Sequence, residues 1–469
     1  MTSSKSKPTI LFVNPVSQLR RGFTINRATR NQPLALGILA SLTPEYYRIK
    51  LIDENFRHFR PYDADLVALT AFTANAPRAY QIAKYYRQKG IPVVMGGIHA
   101  SLCPEEALNY VDAVVVGEAE SVWPQVTSDF ENGKLKPRYE VAVHRQVKQP
   151  LPRRDLFHPG YIAASVQTSR GCPLNCSFCS VSAFNGRHYR FRPIEEIVEE
   201  LRNVPQNYVF FVDDNIIGYS SESRERAGLL FEAIIRSGIR KHWISQASIN
   251  FADDPELVKL AARSGCRMVF IGVESELPKQ LHEAGKTLNL HKGVDNYNEV
   301  FRKIHRQGIG VIAGYIFGWD SDTPETMNQR VKHIRASKAD SFQISVLTPL
   351  PGTRLYTEMK RHDRFIYSNY PNDWQRYDFT EMVVKHPHMS SDNFNSYMKK
   401  SLAGIYSYRH ILRNFFRTWI ITRRWITALM LGLNFYHYRR IFYGEGSLIK
   451  DDNPSQFLPK TMDMPDLKL

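Results

Sequence analysis

The chain has 469 residues, 43% of them hydrophobic and 23% charged. That balance is ordinary for a globular protein, excludes a disordered, collagenous or low-complexity chain, and leaves room for two or three domains of about 150 residues. Lys and Arg number 62 against 46 Asp and Glu, a formal charge of +16, which points to an acidic partner: nucleic acid, an anionic membrane surface, or phosphorylated or carboxylated substrates.

The first residues have no apolar core, so no signal peptide is expected. Residues 9–15 form a short apolar, β-rich run stopped by Pro15, as a buried first strand does. Runs at 49–53, 66–70, 91–97 and 113–117 repeat the pattern. Helical stretches lie between them, such as 76–90, which ends on Gly90 as a helix C-terminus does. Strands alternating with helices imply right-handed βαβ units and a parallel sheet, here a first domain over residues 1–135. Residues 136–160, rich in Pro and basic residues and without period, read as a linker. A second series predicts strands at 162–168, 208–212, 243–249, 268–273, 310–317 and 341–347, with helices at 194–202, 222–237, 255–264, 296–307 and 325–337. Six βα units suggest a partial (β/α)6 barrel over 161–370, whose chemistry belongs at the carboxyl ends of its strands. The fold class is α/β, with a helical C-terminal region over 371–469.

Within that region, Arg409, Arg413, Arg417, Arg423 and Arg424 alternate with Phe415, Phe416, Trp419 and Trp425. Arginines interrupt the apolar stretch too often for it to span a bilayer. It reads as a helical subdomain packed across the barrel mouth, or as a basic amphipathic helix making peripheral membrane contact. No run of 18 uncharged apolar residues occurs anywhere. No nucleic-acid module accompanies the charge, so no nucleic-acid partner is expected.

The five cysteines are Cys103, Cys172, Cys176, Cys179 and Cys266. Three fall within eight residues, too clustered for a disulfide framework in a chain this size. A cytoplasmic, reducing location follows, and Cys103 and Cys266 read as inert buried thiols. The triplet stands in Thr168-Ser169-Arg170-Gly171-Cys172-Pro173-Leu174-Asn175-Cys176-Ser177-Phe178-Cys179, directly after a strand. Thiolates suit zinc or iron–sulfur. A structural zinc site needs four ligands, whereas three cysteines on one loop can hold three irons of a [4Fe–4S] cluster and leave the fourth open. Free thiols, or zinc with a nearby histidine such as His188, are the alternatives.

This stretch resembles the radical S-adenosylmethionine (SAM) superfamily, whose CxxxCxxC loop follows the first strand of a partial TIM barrel. The resemblance implies that the open iron binds SAM and that SAM is cleaved to a 5′-deoxyadenosyl radical. It implies SAM contacts at Phe178, at Asp213 and Asp214 after the second strand, at Gln246 and Ser248 on the third, and at Glu274 in a segment resembling the family's GxxE. Thr348-Pro349-Leu350-Pro351-Gly352-Thr353 also matches and reads as a rigid turn.

The first domain resembles the cobalamin-binding Rossmann-like domain fused to one branch of these proteins. The resemblance rests on residues 67–73, Gly96-Gly97-Ile98-His99-Ala100, Pro104-Glu105-Glu106 and Val116-Gly117-Glu118. It implies cobalamin contacts at Thr70, Thr73, Gly96, Gly97, His99, Gly117 and Glu118. A dinucleotide site is disfavoured, since no G-x-G-x-x-G follows the first strand. The D-x-H-x-x-G motif that supplies a lower histidine ligand to cobalt is also missing: His58 stands five residues after Asp53, not two. Cobalamin without a lower histidine ligand is therefore expected, and His99 reads as a neighbour of the corrin rather than a cobalt ligand.

Together these features imply a cobalamin-dependent radical SAM methyltransferase acting on an unactivated carbon through the adenosyl radical and methylcobalamin. An apolar or amphiphilic substrate, such as a hopanoid-type lipid or bacteriochlorophyllide-type tetrapyrrole, fits the aromatic, basic C-terminal region. An external flavodoxin- or ferredoxin-type electron donor is implied. The alternatives are an enzyme with the same cofactors and no methyl transfer, like the anaerobic magnesium-protoporphyrin cyclase, and a cobalamin or iron–sulfur sensor.

Overall fold

The computed structural model describes residues 7–17, 31–57, 59–140 and 149–443. His58, named above, lies outside them. Six parallel strands form the first sheet: β1 (Thr9–Asn14), β2 (Arg48–Asp53), β3 (Leu66–Thr70), β4 (Val93–Gly96), β5 (Ala113–Val116) and β6 (Arg138–Glu140), in the order β2-β1-β3-β4-β5-β6. The central strands are buried on both faces, which is why they read as unbroken apolar runs rather than alternating ones. Leu11, Val13, Val67, Leu69, Val93 and Met95 point to one side and pack on α2 (Ala76–Arg87). Ile10, Phe12, Leu66, Ala68 and Val94 point to the other, against α1 (Leu34–Leu42) and α3 (Trp123–Glu131).

Strand β6 falls inside the expected linker. It has no apolar run to announce it; only Tyr139 is buried, with its hydroxyl on Asp129 at 2.9 Å. The rest of that segment is strapped down. Phe157 fills the space left by Gly37, where an added Cβ would lie 2.4 Å from its ring. Arg154 donates to Gln32 and bonds Glu200, which also pairs with buried Arg192. The Tyr161 hydroxyl donates to Asp53 at 2.5 Å.

The second sheet begins at β7 (Ala163–Val166). An antiparallel pair, β8 (Ser169–Arg170) and β9 (Arg190–Phe191), interrupts the series before β10 (Tyr208–Phe211), β11 (His242–Ala247), β12 (Cys266–Glu274), β13 (Gly310–Phe317) and β14 (Ser341–Val346). Their order, β14-β13-β12-β11-β10-β7, is sequential and all parallel. This is an open six-stranded barrel wall. Helices α4 (Ile194–Asn203), α5 (Ser221–Arg236), α6 (Pro255–Ser264), α7 (Pro278–Ala284), α8 (Tyr297–His305) and α9 (Pro324–Ala336) link the strands, and α10 (Arg354–Arg361) follows the last of them. Val269, Ile271 and Val273 of β12 face outward to Val258, Ala261, Phe301 and Ile304, while Met268 and Phe270 face inward.

Three helices follow: α11 (Ser391–Ile405), α12 (Tyr408–Thr422) and α13 (Trp425–Tyr443). They do not cover the barrel mouth. Leu431 of α13 packs on Met268 and Ile312 near the starts of β12 and β13, Asn434 accepts from Ser341 at 2.7 Å, and Tyr438 donates to Gln343 at 2.6 Å. The small residue Gly310 at the start of β13 admits Leu431, so α13 seals the end opposite the cysteine loop. Among the described residues no helix is long and apolar enough to cross a membrane.

Candidate active site

From β7 the chain turns through Thr168, β8 and Gly171 into Cys172. Two acids after β10 fasten this turn. Asp213, fully buried, accepts from Thr168 N (2.7 Å), Thr168 Oγ1 (2.6 Å) and Ser169 N (2.9 Å). Asp214 accepts from Gly171 N (3.1 Å) and Asn185 Nδ2 (3.0 Å). Asp213, expected to face SAM, is spent on the root of the cysteine loop, and Asp214 holds the same root through Oδ2. Burial pushes the Asp213 carboxyl up to about 6 against the pull of its three bonds, and raises Asp214 as well.

The far side of the loop is wedged between α7 and α10. Ser177 N donates to Ala284 O (2.9 Å), Arg354 Nη2 to Asn175 O (2.6 Å), and Leu355 N to Ser177 O (2.9 Å). Phe178 packs edge-on against Trp319, with centroids 5.9 Å apart, in an apolar cluster with Leu347 and Leu355. One edge of its ring is thus turned toward the β13–β14 end of the barrel.

Cys176 is buried and Cys172 and Cys179 half-buried. Burial pushes all three thiols up, Cys179 to about 12. Protonated thiols are poor nucleophiles, so this loop suits a metal group that replaces the protons better than it suits free reactive thiols. Among the described residues no three His, Cys, Asp or Glu side chains converge on one metal ion, as zinc with bonds of about 2.3 Å requires. A four-iron cluster spreads its sulfur ligands more widely. His188 meets the loop through its backbone carbonyl, beside Gly171.

Glu274, at the carboxyl end of β12, has a left-handed backbone (φ 63°). Its Oε1 accepts from Lys286 Nζ at 2.8 Å, and both residues are buried. Burial would depress the Lys286 ammonium, but Glu274 and the neighbouring Cys176 hold it well above its ordinary range. Gln246 is exposed on the inner face of β11. Ser248, just past that strand, accepts from Asn215 Nδ2 (2.9 Å) and is bonded to the Tyr219 hydroxyl. Lys286, Tyr219 and Tyr189 belong to no recognised motif, yet electrostatic coupling to the cysteines places all three beside the loop.

The first sheet turns its strand ends toward this loop. Thr70, Gly96, Gly97 and Gly117 stand at the carboxyl ends of β3, β4 and β5. At Gly97 (φ 90°) a Cβ would lie 2.5 Å from Thr70 Oγ1. Between Thr70 and Thr73, Phe72 is 69% exposed, an apolar platform that sequence reasoning passed over. Small residues around an exposed ring suit a large flat ligand such as a corrin.

Three other expected contacts point elsewhere. His99 is fully buried, with Nε2 3.1 Å from both the Tyr80 hydroxyl and Glu106 Oε1, and Nδ1 3.4 Å from Thr73 Oγ1. His99 and Thr73 therefore belong to the domain interior. Glu106 also accepts from Trp374 Nε1 at 2.9 Å, binding the first domain to the segment after α10. Glu118 bonds Arg190 and pairs with Arg170 at 2.8 Å, while Glu120 takes Arg170 at 2.5 Å. Glu118 is thus a tie to the β8–β9 hairpin. The position two residues past Asp53 is Asn55, which donates to Tyr161 at 2.8 Å.

Residues 166–361 match the family model of the radical SAM superfamily and residues 24–127 that of the B12-binding domain. A bacteriochlorophyllide d C-12(1)-methyltransferase of Chlorobaculum tepidum is 30% identical over 390 residues, covering 80% of this chain and 82% of the relative. A hopanoid C-2 methylase of Rhodopseudomonas palustris is 28% identical over 350 residues, covering 72% of this chain and 66% of the relative. The radical SAM methyltransferase TsrM of Kitasatospora setae, solved with cobalamin and a [4Fe–4S] cluster, superposes with a TM-score of 0.64 at 18% identity, covering 86% of this chain and 90% of that one. The chain belongs to the radical SAM family that carries a B12-binding domain, and is a cobalamin-dependent methyltransferase with a [4Fe–4S] cluster, SAM and cobalamin as its cofactors.

Proposed function

We propose that this enzyme methylates an unactivated carbon of an apolar or amphiphilic ring substrate, either a bacteriochlorophyllide-type tetrapyrrole or a hopanoid-type isoprenoid. The observation that carries methyl transfer is the opposition of the two strand-end faces. The cysteine loop lies on one and the glycine-bearing loops with Phe72 on the other, joined by the Arg170 and Arg190 pairs to Glu118 and Glu120. An apolar substrate is supported by the apolar side of that junction, where buried Trp319 and Trp374 and half-buried Phe178 and Tyr356 share one cluster. The names of the bacteriochlorophyllide and hopanoid relatives support the ring class.

When bound, the cluster and SAM supply a 5′-deoxyadenosyl radical and cobalamin supplies the methyl group. Cys172, Cys176 and Cys179 hold the cluster, and Asp213 and Asp214 fix their loop. Gln246, Ser248 and Glu274 border SAM, with Lys286 neutralising the buried Glu274 carboxylate. Thr70, Gly96, Gly97 and Gly117 would border cobalamin. Cys103 and Cys266 are the only other cysteines; one is half-buried and one buried, with burial raising both thiols. They offer no second cluster site, so electrons come from an external flavodoxin- or ferredoxin-type donor.

The test is anaerobic reconstitution followed by incubation with methyl-labelled SAM, a reductant, and a bacteriochlorophyllide or a hopanoid. Labelled product with 5′-deoxyadenosine, both lost in Cys176→Ala, is the expected result. Deoxyadenosine with an altered but unlabelled product would overturn methyl transfer. Labelling of a polar substrate and of neither ring class would overturn the substrate assignment.

A further inference from the structure

Exposed apolar side chains are unevenly spread over the molecule. Of fifteen large hydrophobic residues that stand exposed among the described ones, ten belong to α12 and α13. On α12, Leu412, Phe416, Trp419 and Ile420 recur at helical spacing along one face; on α13, Trp425, Leu429 and Leu433 do the same. Tyr408 and Tyr436, one from each stripe, stack with centroids 6.3 Å apart. The two stripes therefore lie side by side as one surface. The opposite faces are firmly seated: Thr418 donates to buried Asp340 at 2.6 Å, and Phe435 meets Phe342 at 5.5 Å. The exposure belongs to a well-packed hairpin, not to a loosely attached one.

Charge identifies what covers it. Between Asp392 and Glu445 the sequence has nine Lys and Arg and no acidic residue. Arg409 and Arg423 stand exposed beside the α12 stripe. A contiguous apolar patch with a cationic border matches a layer that is anionic at its surface and apolar beneath. Seven of the nine, all arginines, lie on the hairpin itself, and a second copy of it would set seven cations against seven. We propose that the α12–α13 hairpin docks the enzyme in the plane of an anionic lipid bilayer surface, with Trp419, Ile420 and Trp425 entering the headgroup region. This docking is independent of which substrate the barrel takes.

The test is flotation of the full chain with vesicles of phosphatidylcholine, alone or mixed with phosphatidylglycerol. The chain should float with the anionic vesicles and stay behind with the neutral ones. The double change Arg409→Gln/Arg423→Gln should weaken binding by about tenfold, and Ile420→Ser/Leu433→Ser should abolish it. Brominated lipid gives a second readout on the unaltered chain. The other four tryptophans, Trp123, Trp243, Trp319 and Trp374, are buried, so quenching reports Trp419 and Trp425. Failure to float with anionic vesicles, or flotation unchanged by Ile420→Ser/Leu433→Ser, would overturn the proposal. Absence of quenching would overturn it even if that variant did not fold. A dimer abolished by the same substitutions, without lipid binding, would assign the face to a second copy instead.

Discussion

Glu274 is a non-glycine residue in left-handed backbone, a conformation that costs about 1–3 kcal/mol and persists only where its surroundings enforce it. Here they do. Lys286 holds the carboxylate, and Gly272 leaves the space: a Cβ there would lie 2.3 Å from Glu274 Oε1 and 3.0 Å from Lys286 Nζ. Lys286→Met should leave a buried, unpaired carboxylate and cost about 3–5 kcal/mol. Glu274→Gln combined with Lys286→Met should cost less than Lys286→Met alone, and a thermal-unfolding double-mutant cycle checks this. Gly171 is similarly constrained, because its φ of 90° and the His188 carbonyl 2.2 Å from an added Cβ exclude any side chain. Gly171→Ala should cut iron bound after reconstitution by about half or more, as measured by iron and sulfide analysis. The cysteines themselves were legible because three ligands of one type at fixed spacing are local in sequence. Asp213 and Asp214 were not: an acid that accepts backbone N–H groups reads the same in sequence as one that touches a ligand. Lys286 and Tyr219 carried no signal, since only the fold brings them to the loop.

At the scale of the element, the parallel strands were legible from their doubly buried apolar runs, and β6 was missed because a single buried tyrosine makes no pattern. The C-terminal helices were visible as helices, but their place was not. Helical periodicity shows that a face is apolar without saying which end of a barrel it covers. One buried group in this region titrates. His410 packs between Phe342 and Phe435, and its Nδ1 lies 2.8 Å from Ile405 O. Burial, aided by nearby arginines, lowers its pKa to about 4. The unfolded chain takes up this proton near pH 6.5 and the folded chain only near 4. Stability is therefore full above pH 6.5 and falls as pH drops toward 4, by about 2 kcal/mol between pH 7 and pH 5. His410→Gln should flatten that part of the profile, as read by thermal unfolding across the pH range.

At the scale of the whole molecule, two parallel sheets, each legible alone, must be held with their strand ends opposed. Nothing in the sequence marked how. The expected linker proved to be clamped by Arg154 and Phe157, and the junction itself is an ion-pair latch. Arg170 and Arg190 flank the cysteine loop and are nearly buried; Glu118 and Glu120 come from the end of β5. Burial alone would raise the Glu118 carboxyl, yet the Arg190 and Arg170 guanidiniums hold it below the usual carboxylate range. Glu118 thus stays charged at neutral pH and gives up its charge only on acidification below the usual carboxylate range. Because Arg170 lies two residues before Cys172, the latch ties cobalamin's domain directly to the cluster loop. Removing it should disturb the distance between the two halves more than the content of either. Glu118→Gln/Glu120→Gln is expected to bind iron and cobalamin at normal occupancy, form 5′-deoxyadenosine, and transfer methyl poorly. The ratio of deoxyadenosine to methylated product should rise by about tenfold, equivalent to about 1.4 kcal/mol of lost positioning. Loss of cobalamin binding instead would return Glu118 to the corrin site, and an unchanged ratio would reduce the latch to one stabilising contact among many.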